Sequence, residues 1–185
     1  MLAAMNVVSA QAGQVIYVPA GLPHAIGAGV MLTELQEPTS FSVLAEHQAF
    51  GLTEDQASLG LGWDLALSCF DLRGHGDRLH ELIADPRPSA RASSLRALFP
   101  EEAADYFRAA LATCRGGAVA LGSASFAVLV VARGVGELRW GSERQAVRRG
   151  ETWVAPYGAG PLEVAGDNLH VIVCRPLRGS GESEP

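Results

Sequence analysis

GQVIYVPAGLPH, residues 13–24, decides how this chain reads, because its frame occurs twice. The second occurrence is GETWVAPYGAGP, residues 150–161, so Gly150, Pro156 and Gly158 follow Gly13, Pro19 and Gly21 at a constant spacing of 137 positions. A fixed frame recurring within a short chain marks an internal duplication of one structural unit. Its physics is legible. The leading glycine allows a tight turn into a strand. Five residues then point alternately to the two faces of a sheet. Proline and the next glycine end the strand and turn the chain back. The copies differ at their last position, where Pro161 replaces His24.

Working outward, VIYV closes a strand-like run over residues 5–18, and Pro19, Gly21 and Pro23 make a turn. VMLTELQ, residues 30–36, alternates as a strand does, placing Glu34 and Gln36 on one face and Met31 and Glu37 on the other. SVLAEHQAF, residues 42–50, finishes or leaves that sheet. GWDLALSCF (62–70) and DRLHELIA (77–84) have helical spacing, RPSARASS (87–94) reads as a linker, and 101–110 as a short helix. The organisation expected is a β-segment over 1–52, a mostly helical connector over 53–104, a second β-domain over 105–178 and a disordered tail over 179–185. In the second domain the apolar run FAVLVV and the segments GELRW, AVRRG, ETWVAP, PLEVAG and NLHVIVCRP alternate with turn residues. That pattern suggests a sandwich or barrel.

Composition narrows the function. The 185 residues carry a net charge of −6 and are 48% hydrophobic. No basic block exists, which argues against a nucleic-acid partner. No apolar run approaches the roughly 18 residues that span a bilayer, so no membrane partner is expected. The N-terminal residues lack a positive region and run straight into a strand, so they are not read as a signal peptide. All 14 basic residues are arginine, which removes lysine chemistry such as Schiff bases. Cys69, Cys114 and Cys174 are odd in number and have no CxxC pair. They read as reduced, buried thiols of a cytoplasmic protein.

The frame G-x5-P-x-G-x2-H resembles the second conserved motif of cupins, which implies a mainly β, RmlC-like jelly-roll fold. In such a barrel the histidine after the turn reaches the mouth, where a neutral imidazole binds metal. The plain alternative is a histidine satisfied within its turn. By the same comparison the second copy, with Pro161 in place of the histidine, implies a metal-less cupin domain.

The longer stretch PAGLPHAIGAGVMLTELQEPTSFSV, residues 19–43, resembles the class I mannose-6-phosphate isomerase family in its PAG-x-x-HA-x-G-x-G and L-E-x-Q elements. The EHQAFG…LGLGWDLAL that follows is similar to the high-GC bacterial form of that family. The resemblance implies zinc-assisted interconversion of mannose 6-phosphate and fructose 6-phosphate, with His24 as a zinc ligand and Glu34 lining the site. Glu34 is the candidate for moving the proton between C1 and C2; a solvated strand face is its plain reading.

Three departures from the family stand out. The Gln, His and Glu zinc ligands should lie in strands ahead of Gly13, yet only twelve residues precede it. Ser40 stands where an acidic residue is expected. No arginine occurs between Gln36 and Asp71, Arg73 being the first in the chain. The expectation is therefore an N-terminally incomplete chain that holds zinc weakly or not at all. Half a barrel would expose strand edges and favour aggregation, a dimer or a missing partner piece. A non-catalytic cupin remnant binding a sugar or a protein is the alternative function. His47, His75 and His80 read as solvated, His170 as structural, Arg148 and Arg149 as turn residues, and Trp63, Trp140 and Trp153 as core or wall.

Overall fold

The computed structural model describes residues 5–85 and 92–177; the 179–185 tail lies outside them, as do residues 87–91 of the expected linker. Contacts divide the chain into two compact units. One takes the described part of Met1–Ala10 with Val18–Leu82; the other takes Gln11–Tyr17 with the described part of Ile83–Pro185. The GQVIYVPAGLPH stretch is thus divided between Tyr17 and Val18.

The second unit is built on a six-stranded antiparallel sheet of β3 (Ser94–Ala97), β4 (Phe107–Ala120), β5 (Ala127–Trp140), β6 (Glu143–Arg148), β7 (Thr152–Ala155) and β8 (Leu162–Pro176). The order is β3-β4-β8-β5-β6, and β7 pairs with the first half of β5. The mainly β fold expected from the short apolar runs is the one observed. FAVLVV enters β5, and its alternate residues Ala127, Leu129 and Val131 are buried. Leu169, Val171 and Val173 of β8 do the same.

The three long strands bend at register irregularities, between Cys114 and Ala118 in β4 and between Val131 and Val135 in β5. Such bulges sharpen twist and turn a sheet's direction. As a result both halves of β5 face one cluster, in which Leu129 and Val131 meet Leu138, Val147, Val164 and Leu169. Trp140 and Trp153 pack against it, as wall residues should. The tight strand contacts at the bend select glycine. A Cβ on Gly136 would lie 2.2 Å from the carbonyl oxygen of Ala165, and one on Gly134, where φ is +81°, would lie 2.4 Å from that of Asn168.

A two-residue strand, β1 (Val15–Ile16), also belongs to this unit and pairs with β2 (Ile83–Ala84). Tyr17 stacks at 6.2 Å on Phe99, which meets Phe107 edge-on at 5.3 Å.

The first unit contains α1 (Glu54–Ala57) and α2 (Trp63–Ser68). α1 begins in a capping box: Thr53 accepts from the Gln56 backbone, and the Gln56 side chain accepts from the Thr53 backbone. α2 falls within the expected 62–70 helix. Elsewhere the helical periodicity yields only 3-10 turns, Gly76–Leu82 and Glu101–Asp105, the latter running into β4. The strand expected over 30–36 does not form, and these residues have irregular backbone. Alternation makes a strand only where a neighbouring strand supplies ladder hydrogen bonds, and none does so among the described residues.

Candidate functional site

The duplication is visible in the hydrogen bonds. Gln14 N–H donates to Gln11 O at 3.0 Å, and Glu151 N–H donates to Arg148 O at 3.2 Å. In each copy the same acidic or amide side chain caps the turn: Gln14 Oε1 accepts from Gln11 N at 2.8 Å, and Glu151 Oε2 from Arg148 N at 3.1 Å. Gly13 and Gly150 have φ of +91° and +90°. After each proline the chain closes the same turn, Leu22 N to Pro19 O at 3.1 Å and Ala159 N to Pro156 O at 3.0 Å. Arg148 and Glu151 also form an ion pair at 2.9 Å, which occupies that arginine.

The copies part at their second glycine. Gly21 has φ of +82°, and a Cβ there would lie 2.8 Å from Cys69 O. Gly158 needs neither freedom: its φ is not left-handed and nothing lies within 4 Å of a Cβ. Gly21 is constrained because its turn is docked on the segment after α2, where Asp71 N–H donates to Gly21 O at 2.7 Å. The Asp71 carboxylate in turn accepts from the Arg73 backbone at 3.0 Å and from its guanidinium at 2.8 and 2.7 Å. These bonds hold the Asp71 carboxyl well below the usual carboxylate range. His75 Nε2 stands 3.9 Å from Asp71 Oδ2. Sequence reading placed Arg73 and His75 in a connector; the fold ties them, through Asp71, to the turn that carries His24.

His24 is exposed, and its Nδ1 lies 3.0 Å from Leu22 O. A carbonyl oxygen only accepts, so that bond puts a hydrogen on Nδ1, and Nε2 is the ring nitrogen that a metal could use in the neutral form. Glu34 and Gln36 are exposed on irregular backbone. Among the described residues no group of three or more His, Cys, Asp or Glu side chains could hold a metal ion. The residues present therefore do not fit a four-coordinate zinc site. In the second unit the space among Leu129, Val131, Val164 and Val171 is apolar and too small for water, and the exposed Pro161 stands just before β8.

The remaining expected residues fall as follows. His47 stacks on Trp63 at 5.5 Å and its Nδ1 is buried without a partner, so it is packed rather than solvated. His80 Nδ1 lies 2.7 Å from Asp77 O. The three cysteines are free thiols, but only Cys114 is fully buried; Cys69, which follows the last residue of α2, is exposed, and Cys174 is half-buried. An open groove of about 510 Å³ lies over Gly116, Gly136 and Gly166. Its arginines face carboxylates, Arg139 with Glu137 and Glu163 at 3.0 and 3.2 Å and Arg144 with Glu137 at 3.8 Å.

No family model matches this chain, and no curated protein matches it. Solved structures do. A cupin-2 domain protein from Shewanella frigidimarina is 16% identical over 57% of this chain and 94% of its own, with a TM-score of 0.38. An RmlC-like cupin from Desulfovibrio desulfuricans is 20% identical over 49% and 92%, with a TM-score of 0.39. An RmlC-like double-stranded β-helix protein from Methanocaldococcus jannaschii is 14% identical over 49% and 85%, with a TM-score of 0.40. No helix among the described residues is long and apolar enough to cross a membrane.

Proposed function

We propose that this chain is a cupin of the class I mannose-6-phosphate isomerase kind, whose docked turn over residues 19–24 is the substrate-side element. The observation that supports this most is that His24 is exposed on that turn and bonded through Nδ1, so that Nε2 is not the nitrogen used by the turn. Arg73, largely exposed, is ion-paired with Asp71, whose backbone N–H holds that turn, and would exchange this carboxylate for a sugar phosphate on binding. Glu34 is the proton-transfer candidate by resemblance alone. Zinc would supply a Lewis acid for the sugar oxygens, but one histidine cannot retain it, and no step is assigned through it. The second reading, a non-catalytic cupin that binds a sugar or a protein partner, is favoured by the apolar interior of the second unit and by the lack of a metal-holding donor group among the described residues.

Calorimetry with mannose 6-phosphate and with mannose separates the two. Saturable binding of the phosphorylated sugar alone, weakened by both His24→Ala and Arg73→Gln, supports the isomerase-type site. No sugar binding moves the assignment to a protein partner. Zinc analysis after dialysis should find far less than one equivalent. Robust, chelator-insensitive conversion of mannose 6-phosphate by this chain would refute the role given to His24.

A further inference from the structure

We propose that Arg115, Arg133, His170 and the hydroxyl of Thr113 form a site for a small oxyanion, phosphate in class, on the sheet of the second unit. The ladder brings them together. His170 of β8 lies opposite Thr113 of β4 on one side and opposite Arg133 of β5 on the other. Directly opposed residues share a face, with Cβ atoms about 5 Å apart, so the three side chains form one transverse row. Arg115 follows at the β4 bulge and acts on the His170 imidazole, as Arg133 does.

Two features of the row call for a ligand. Thr113 is 1% exposed, and its Oγ1 and the Nε2 of His170 are both buried without a hydrogen-bond partner. Orphaned buried polar atoms are rare and costly, and here two stand on neighbouring strands. In addition, neither arginine has a carboxylate partner among the described residues. Arg115 donates to Asn168 Oδ1 at 3.1 Å, although Asp167 is its partner across the strands. This contrasts with Arg139 and Arg144 in the groove nearby, whose charge is balanced. Two guanidiniums that form no ion pair among the described residues, with Asp167 the one carboxylate opposite Arg115 in the ladder, leave cationic donors free for an anion. An anion bridging them supplies the acceptor that the Thr113 hydroxyl and the His170 ring lack, and a small side-chain movement at the row would admit one of its oxygens. The residues are all in the second unit, so the proposal is independent of the isomerase reading.

The test uses the whole chain and inorganic phosphate. Calorimetry should show one saturable site. Arg115→Gln and Arg133→Gln should each weaken it roughly tenfold or more, the loss of one charge-assisted hydrogen bond. Thr113→Val should weaken it several-fold. Arg144→Gln, which removes the same charge elsewhere, should leave it within about twofold. Imidazole NMR supplies a readout that a folding defect would not mimic: phosphate should raise the titration midpoint of His170 in the native protein, and not in Arg133→Gln. Absence of saturable phosphate binding, binding equal in Arg115→Gln, Arg133→Gln and Arg144→Gln, or a His170 resonance that phosphate does not move would each overturn the proposal.

Discussion

Alanine at Gly134, Gly150 and Gly158 should give three different stabilities, because the fold makes three different demands on these glycines. At Gly158 the backbone is not left-handed and a Cβ meets nothing within 4 Å. The substitution mainly restricts the unfolded chain, and stability should be unchanged or rise by up to about 1 kcal/mol. At Gly150 the space is equally open but φ is +90°, so only backbone strain enters, about 1–2 kcal/mol. At Gly134, φ of +81° is joined by a contact of 2.4 Å with the backbone oxygen of Asn168 and 3.0 Å with Leu169 Cα. The obstructing atoms are backbone rather than the end of a flexible side chain, so a steric cost of about 1–3 kcal/mol adds to the strain. The total for Gly134→Ala is roughly 2–5 kcal/mol, a large share of the 5–15 kcal/mol typical of a domain. Urea unfolding of the three variants, followed by tryptophan fluorescence with Trp140 and Trp153 in the core wall, measures the series. Equal losses at Gly134 and Gly150 would show that the bend relaxes freely, and would refute the close-approach argument.

Further outcomes follow from the same structure. His170 is held below its ordinary value, chiefly by burial and then by Arg133 and Arg115. The unfolded chain therefore takes up this proton near pH 6.5 while the folded chain does not, so stability falls as pH drops below about 6.5 and continues to fall until the folded value is reached. Urea midpoints in phosphate-free buffer should show that slope, and His170→Gln should flatten it. Among the thiols, exposed Cys69 should react first with a chromogenic disulfide at pH 8, and Cys69→Ser should remove the fast phase; Cys174, pushed up to about 11 by burial, should react only on unfolding. Amide exchange should be slower over 118–175 than over 13–36, since the first range sits in a paired sheet and the second mostly in irregular backbone. The reverse order would contradict the division of order described above.

Several features were legible from residue order alone because their causes are local. Glycine at positions 13 and 150 allows the left-handed backbone of the turn, proline ends the strand, and alternating apolar residues in FAVLVV and HVIVC have one buried face in any sheet. The repeat, the mainly β fold and α2 follow from such rules. What residue order could not supply was pairing. VMLTELQ alternates correctly, yet without a neighbour to complete its ladder it is no strand. Glu34 accordingly lies on irregular backbone, and among the described residues no metal-holding group of donors forms around His24. In the other direction, Asp71, Arg73 and His75 gained a connection to the His24 turn through one backbone hydrogen bond to Gly21. Thr113, Arg133 and His170, spread over 58 positions of sequence, became neighbours through the register of β4, β8 and β5. Local preference depends on the residue and its immediate neighbours. Which strand lies beside which, and in what register, depends on burying one shared core, and only the folded chain decides that.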